Sequence, residues 1–212
     1  MIDTRQKILD TAERLFGEQG YGATSLRHII AEAGVNLAAI HYHFGTKEDL
    51  LDHLIMRKGG PVNEERVALL DALEARAQGK AVPLEKLLEA FLGPPMRRIG
   101  KNPGFAKLMG RMHGEGLMPL IVERHFQAVV KRFFAALART LPHLTPGEMA
   151  LRSQFMIGAM AHILMCKAPD AKAMTGASPP RGSQHVLREL VAFLSGGLRA
   201  PAARKGRRRI GK

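Results

Sequence analysis

The chain has 212 residues, enough to bury a real core in one large domain or in a small domain joined to a larger one. Its apolar residues never form the run of about 18 that a membrane span needs, and the charged, amphipathic N-terminal stretch lacks the apolar core of an export signal, so a cytoplasmic protein is expected. The single cysteine, Cys166, excludes an intramolecular disulfide, and the formal charge of +13 points toward a nucleic-acid partner without locating it.

Ile8, Leu9, Ala12, Leu15 and Phe16 fall on one stripe and predict a helix over residues 4–19, ended by Gly20 and Gly22. Ser25 caps a second helix whose Leu26, Ile29, Ile30 and Ala33 face a core; His28 stands where a capping box would place Glu or Gln. Gly34 supplies a left-handed turn residue, Val35 is expected inside the turn, and Asn36 opens a third helix that stops at Gly45. In that helix Ile40 and Phe44 make the buried pair, which leaves Leu37, Ala38, His41 and Tyr42 on other faces. Two short helices joined by a Gly-containing turn form a helix-turn-helix, the device that places one helix in the DNA major groove. Leu37 and Tyr42 are costly to expose unless they meet DNA or pack on a neighbouring helix. Thr46 and Asp49 cap a fourth helix over about 47–58, and Lys47 in its first turn opposes the helix dipole, a cost that a nearby phosphate would offset. His41 and His43 lie about 200° apart around a helix, so they do not make a metal pair, and no metal or cofactor is expected.

Gly59, Gly60 and Pro61 are expected to break the chain before a helix over 63–78, with Val67, Leu70, Leu73 and Ala77 on its apolar side. A helix over 84–98 should bend or break at Gly93, Pro94 and Pro95; a short one follows over 105–113, and a long one from about Pro119 to Pro142. Residues 146–167 are apolar nearly all round between Phe155 and Cys166, so both sides need cover. Phe155, Gly158, Ala159 and His162, with Leu187, Leu190, Val191 and Leu194 from a last helix over 184–199, are the candidate surface for a partner copy in a four-helix bundle. No strand pattern appears, so the fold class is all-α: a three-helix head over 1–46, a larger helical body over 47–199 joined to it by the fourth helix, and a basic tail over 200–212. That tail either solubilises the chain or adds unspecific phosphate contacts.

The quoted residues resemble a known family. Phe16, Gly20, Tyr21, Thr24 and Ser25, then Ala31, Ala33, Gly34, Val35 and Asn36, then Tyr42, His43, Phe44, Lys47, Glu48, Asp49, Leu50 and Leu51 reproduce the motif of the tetracycline-repressor (TetR) family of bacterial regulators. The resemblance covers roughly the first 55 residues. It implies an all-helical homodimer in which a DNA-binding head is linked by the fourth helix to a ligand-binding, dimerising body. It also implies that Tyr42, His43 and Lys47 contact the DNA backbone, that Thr24 and Ser25 meet phosphate, and that Asn36, Leu37, Ala38 and His41 lie against the groove. Family members often carry a basic residue, a Gly and a Tyr where Leu37, Ala38 and His41 stand here, so base reading would lean on His41 and on apolar contacts with thymine methyls.

For an effector, Met96, Phe105, Met109, Met112, His113, Met118, Phe126, Phe155 and His162 form a Met- and Phe-rich set that either lines a pocket or is ordinary core. An enzyme is not expected: there is no Gly-rich phosphate loop, no Cys/His metal spacing and no nucleophile beside a base. The expected function is therefore a repressor that holds a palindromic DNA operator as a homodimer until a small molecule releases it. The alternative is an apolar-ligand carrier or adaptor whose head has lost specific DNA binding.

Overall fold

Local cap chemistry sets the first four helices. In the computed structural model, which describes residues 3–99, 103–165, 172, 176–177 and 182–202, Asp3 accepts from the Arg5 N–H and opens α1 (Thr4–Gln19). Ser25 accepts from His28 N at 3.1 Å and opens α2 (Leu26–Ala33), which Gly34 closes at φ 59°. Asn36 accepts from Ala39 N at 2.8 Å at the start of α3 (Leu37–His43). Thr46 and Asp49 form a complete, reciprocal capping box at the start of α4 (Lys47–Ala77). The rest of the chain adds α5 (Leu84–Ile99), α6 (Pro103–Gly114), α7 (Met118–Ile121), a π-helical turn (Val122–Phe126), α8 (Gln127–Thr140), α9 (Pro146–Met165) and α10 (Ser183–Arg199). The described residues form helices joined by turns and contain no strand. Cys166, most of the 168–182 linker and the tail from 203 onward lie outside the described residues.

Two expected breaks are absent. The fourth helix does not stop at residue 58: α4 runs through Gly59, Gly60 and Pro61 for 31 residues. Pro61 deprives the Arg57 carbonyl of its usual N–H partner, which in isolation costs about 3 kcal/mol. Tertiary contacts hold the helix on both sides of that defect. Before it, the Arg57 guanidinium donates to Asp10 and Glu13 of α1, both at 2.9 Å. At it, Gly59 is buried under the Phe126 ring, where a Cβ would come within 2.8 Å of Cζ. After it, Val62, Asn63 and Leu70 are buried.

The second exception is α5, which continues through Pro94 and Pro95 to Ile99. Pro95 has no N–H to offer the carbonyl of Phe91, four residues earlier. The Nε of Arg66, on α4, donates to that oxygen at 2.8 Å instead. A guanidinium from the neighbouring helix thus replaces the missing backbone donor. The long helix expected from Pro119 is also divided, by the π turn at Val122–Phe126.

Apolar packing forms two clusters. One joins Ile8, Leu9, Phe16, Ile29, Ile40, Phe44, Leu50, Leu54 and Ile55 to Leu108 and Met112 of α6 and Ile121 of α7. The other gathers Leu70, the buried residues of α5, Phe133 and Leu137 of α8, Met156 of α9, and Leu190, Val191 and Leu194 of α10. The first cluster therefore reaches past residue 46 into body helices. Gly17 of α1 permits the approach of α6, since a Cβ there would sit 3.3 Å from the Cβ of Lys107.

Gly59→Ala should destabilise the fold by about 1–3 kcal/mol through overpacking against Phe126. Urea unfolding of the single variant and of the Gly59→Ala/Phe126→Leu pair checks this; the pair should be less destabilised than the sum of the single changes.

Candidate DNA-contact surface and its link to the body

The third helix is fixed from beneath. Ile40 and Phe44 are 0% and 5% exposed, while Tyr42 and Leu37 are 86% and 53% exposed. Ala38 and His41 are exposed beside them, and His41 pairs through Nδ1 with the Gly45 carbonyl at 3.0 Å, which leaves Nε2 for an outside partner. His43 is half-buried and meets the Tyr42 ring edge-on, with centroids 5.1 Å apart. Asn36 and Ser25 are exposed, but each spends a side-chain oxygen on its own helix N-terminus. Thr24 departs from expectation. It is 1% exposed and its hydroxyl donates to the Gly20 carbonyl at 2.8 Å, so it holds the α1–α2 turn and is out of reach of a phosphate.

Lys47 lies at the edge of this surface with its ammonium 4.2 Å from the centre of the Tyr21 ring. Partial burial lowers its pKa, with Glu48 and Glu115 opposing that shift. The Tyr21 hydroxyl donates to Glu48 at 3.0 Å; burial first, then this carboxylate, pushes the phenol above its ordinary range. Lys47, Tyr21 and Glu48 thus form a compact unit, and the lysine rests on an aromatic face instead of extending into solvent.

Contacts from the body reach the same region. Glu115, just after α6, accepts from the backbone N–H groups of Tyr21 (3.1 Å) and Gly22 (3.2 Å). Arg111 donates to the Glu18 carbonyl at 3.0 Å. Further along α4, Asp52 accepts from Arg124 at 3.1 Å and pairs with His125 Nε2 at 2.8 Å, both in the π turn. Glu115, Arg124 and His125 were not legible as site residues, because their partners lie far away in sequence.

The Met- and Phe-rich set does not converge on one cavity. Met96 belongs to the body cluster; Phe105, Met109, Met112, Met118 and Phe126 pack on the head cluster; His113, Phe155 and His162 are exposed. Helical spacing reported their apolar faces but not which core each face would join. The residues of the expected partner surface differ in exposure. Leu190, Val191 and Leu194 are each 5% exposed and pack into their own body. Leu187, Gly158 and Ala159 are half-buried, while Phe155, Leu151 and Phe193 stand 62%, 51% and 75% exposed. Phe193 was expected in the bundle together with Leu190, Val191 and Leu194, but an apolar helix carries no mark of which stripe its own chain will cover.

A helix-turn-helix mounted on a helical body defines the class of helix-turn-helix transcriptional regulators, and comparison with known proteins agrees. Residues 8–54 match the bacterial regulatory proteins of the tetR family, and residues 89–197 match the tetracyclin repressor-like C-terminal domain. The chain belongs to the TetR family of transcriptional regulators. It is 39% identical to the HTH-type transcriptional regulator AcrR of Shigella flexneri over 90 residues, 42% of this chain and 39% of that protein. It is 32% identical to the HTH-type transcriptional repressor KstR2 of Mycobacterium tuberculosis over 92 residues, 42% of this chain and 40% of that protein. These matches span less than half of the relatives' length. The structure of M. tuberculosis KstR2, a ketosteroid transcriptional regulator, shares the fold at a TM-score of 0.62 and 20% identity, over 93% of this chain and 95% of that one. A putative tetR family regulator from Shewanella sp. PV-4 does so at a TM-score of 0.62 and 18% identity, over 92% and 97%. The family models and the curated relatives named above are transcriptional regulators, not enzymes, and no described helix is long and apolar enough to cross a membrane.

Exposure separates contact residues from packing residues. Tyr42→Ala should change folding stability by no more than about 0.5 kcal/mol. Ile40→Ala, in contrast, should cost about 2–5 kcal/mol. Chemical denaturation of the two variants measures both.

Proposed function

We propose that the chain is a ligand-responsive transcriptional repressor that binds a palindromic operator as a homodimer and is released when a small molecule binds its helical body. The observation that carries this reading is α3, a helix with Tyr42 and Leu37 standing exposed on a face that Ile40 and Phe44 fix from behind. Exposed apolar and aromatic side chains on a rigid short helix suit thymine methyls and sugar-phosphate edges. In this reading His41, Leu37 and Ala38 lie in the groove, Asn36 stands at its entrance, and Ser25, Tyr42, His43 and Lys47 contact the backbone.

Two copies joined through α9 and α10 would cover Phe155, Leu151 and Phe193 and set two recognition helices one helical turn of DNA apart, roughly 34–36 Å. Release needs a route from body to head. Glu115 and Arg111 on the α1 side and Arg124 and His125 on the α4 side supply one, because any shift of α6 or of the π turn pulls on groups bonded to the head. An effector shifts the population only as far as it binds the released arrangement better.

Binding of the purified protein to DNA from upstream of its own gene, against random DNA of equal length and across a salt series, tests the reading. Preference for the upstream DNA should persist at physiological salt. Tyr42→Ala and His41→Ala should each weaken it by about tenfold or more without changing the oligomeric state. Phe155→Asp/Phe193→Asp should yield monomers with weakened operator binding. Equal binding to both DNAs that collapses with salt would overturn the proposal.

A further inference from the structure

Glu64 is an acid without a counter-charge on a stretch of helix where its neighbours have them. Along the same part of α4, Glu65 is held by Arg97 at 2.6 Å and by Arg98, Asp71 by Arg132 at 2.6 Å, and Glu74 by Arg132 and Arg139. Glu64 is exposed and makes no ion pair or hydrogen bond among the described residues. The chain carries 32 basic residues against 19 acids, so shortage of cations does not account for it.

This carboxylate lines a groove of about 420 Å³ between α4 and the π turn with α8. Met56, Gly60, Val67 and Ala68 of α4 form one wall, and Phe126 and Val129 form the other. Met56 stands 45% exposed although large and apolar. Gly60 brings bare backbone to the groove; a Cβ there would meet only Met56 Cε, 3.7 Å away. Asn63 and His125 also line the space, and each is engaged within the protein: Asn63 Oδ1 accepts from Arg66 at 3.0 Å, and His125 Nε2 pairs with Asp52 at 2.8 Å. With Asp71 neutralised by Arg132, the groove is an apolar space bearing one uncompensated negative charge. An anion would be repelled there and a neutral molecule would gain nothing from the charge. A cation with an apolar body gains from both the charge and the burial.

We infer that the effector is an apolar organic cation, its ammonium group paired with Glu64 and its hydrocarbon lying between Met56, Val67, Phe126 and Val129. This rests on the reading of the body as effector-binding and gives that effector a chemical class and a place. It also gives the effector a lever. His125 holds Asp52, and the Phe126 ring tip sits against Gly59, beside the Gly60 backbone that lines the groove. An occupant that widens the groove therefore draws the π turn away from the stretch of α4 that Pro61 weakens.

The formal charge of +13 makes the test stringent, because the field of the whole chain favours anions, and a preference for cations has to come from a local charge. Calorimetric titration of the full chain at neutral pH with 1-naphthylmethylammonium and with decylammonium, each against its matching alcohol and below aggregating concentrations, tests the inference without DNA. At least one cation should bind about fivefold or more tighter than its alcohol. Glu64→Gln keeps the shape and breaks no contact, and should bring the two affinities to parity. Ala68→Trp, at an exposed position in the groove wall, should weaken cation and alcohol alike. Glu89→Gln, in a separate groove between α5 and α10, should leave the preference intact. Equal affinity for cation and alcohol in the unaltered protein, or no binding of either cation, would overturn the inference. So would a preference that survives Glu64→Gln or is lost in Glu89→Gln, or binding that Ala68→Trp leaves unchanged. A protein that prefers the cation yet shows no operator specificity would sink the repressor reading alone, and operator binding without cation preference would sink this one alone.

Discussion

Everything in the molecule depends on α4 remaining one helix across Gly59, Gly60 and Pro61. At about 1.5 Å per residue its 31 residues span roughly 46 Å, long enough to enter both apolar clusters. Leu50, Leu54 and Ile55 lie in one cluster and Leu70 in the other. A flexible break at 59–61 would uncouple them. The tip of the Phe126 ring sits against Gly59, one of the three residues that weaken the helix, so the weak stretch of the rod is also where the π turn presses on it. The helix is rigid there only because its neighbours make it so.

The same logic recurs at α5. Pro95 leaves the Phe91 carbonyl without its helical partner, and Arg66 supplies the donor from α4. That ties the two helices by a bond neither sequence segment contains on its own. The guanidinium is consequently held in a part of the body that would otherwise be apolar, with its outer edge poorly satisfied.

What the sequence made legible was what is decided locally. Ser25, Asn36, Thr46 and Asp49 act on amides within three residues, and the Ile40/Phe44 pair follows from the helical repeat, so these were readable before any fold was known. Thr24 was misplaced because its neighbour Ser25 is a cap and Thr24 itself turns inward to Gly20. Gly59 and Pro95 read as breakers because the groups that act at them, Phe126 and Arg66, are distant in sequence. The apolar faces of α9 and α10 were visible as faces, but not the division between the stripe that packs inward at Leu190, Val191 and Leu194 and the one left outside at Phe193. Periodicity gives the direction of a surface and says nothing of its neighbour.

The body's hold on the head at Glu115 is made to main-chain N–H groups, not to side chains. A carboxylate bonded in this way senses the path of the chain at Tyr21 and Gly22 whatever side chains stand there, with Gly20 as the exception, since a Cβ at that position would collide with the carboxylate itself. Leu37, Ala38, His41 and Tyr42 on α3 take no part in this contact, whereas Lys47 feels the Glu115 charge. The side chains exposed on α3 could therefore change while the body went on holding the head by the same two amides.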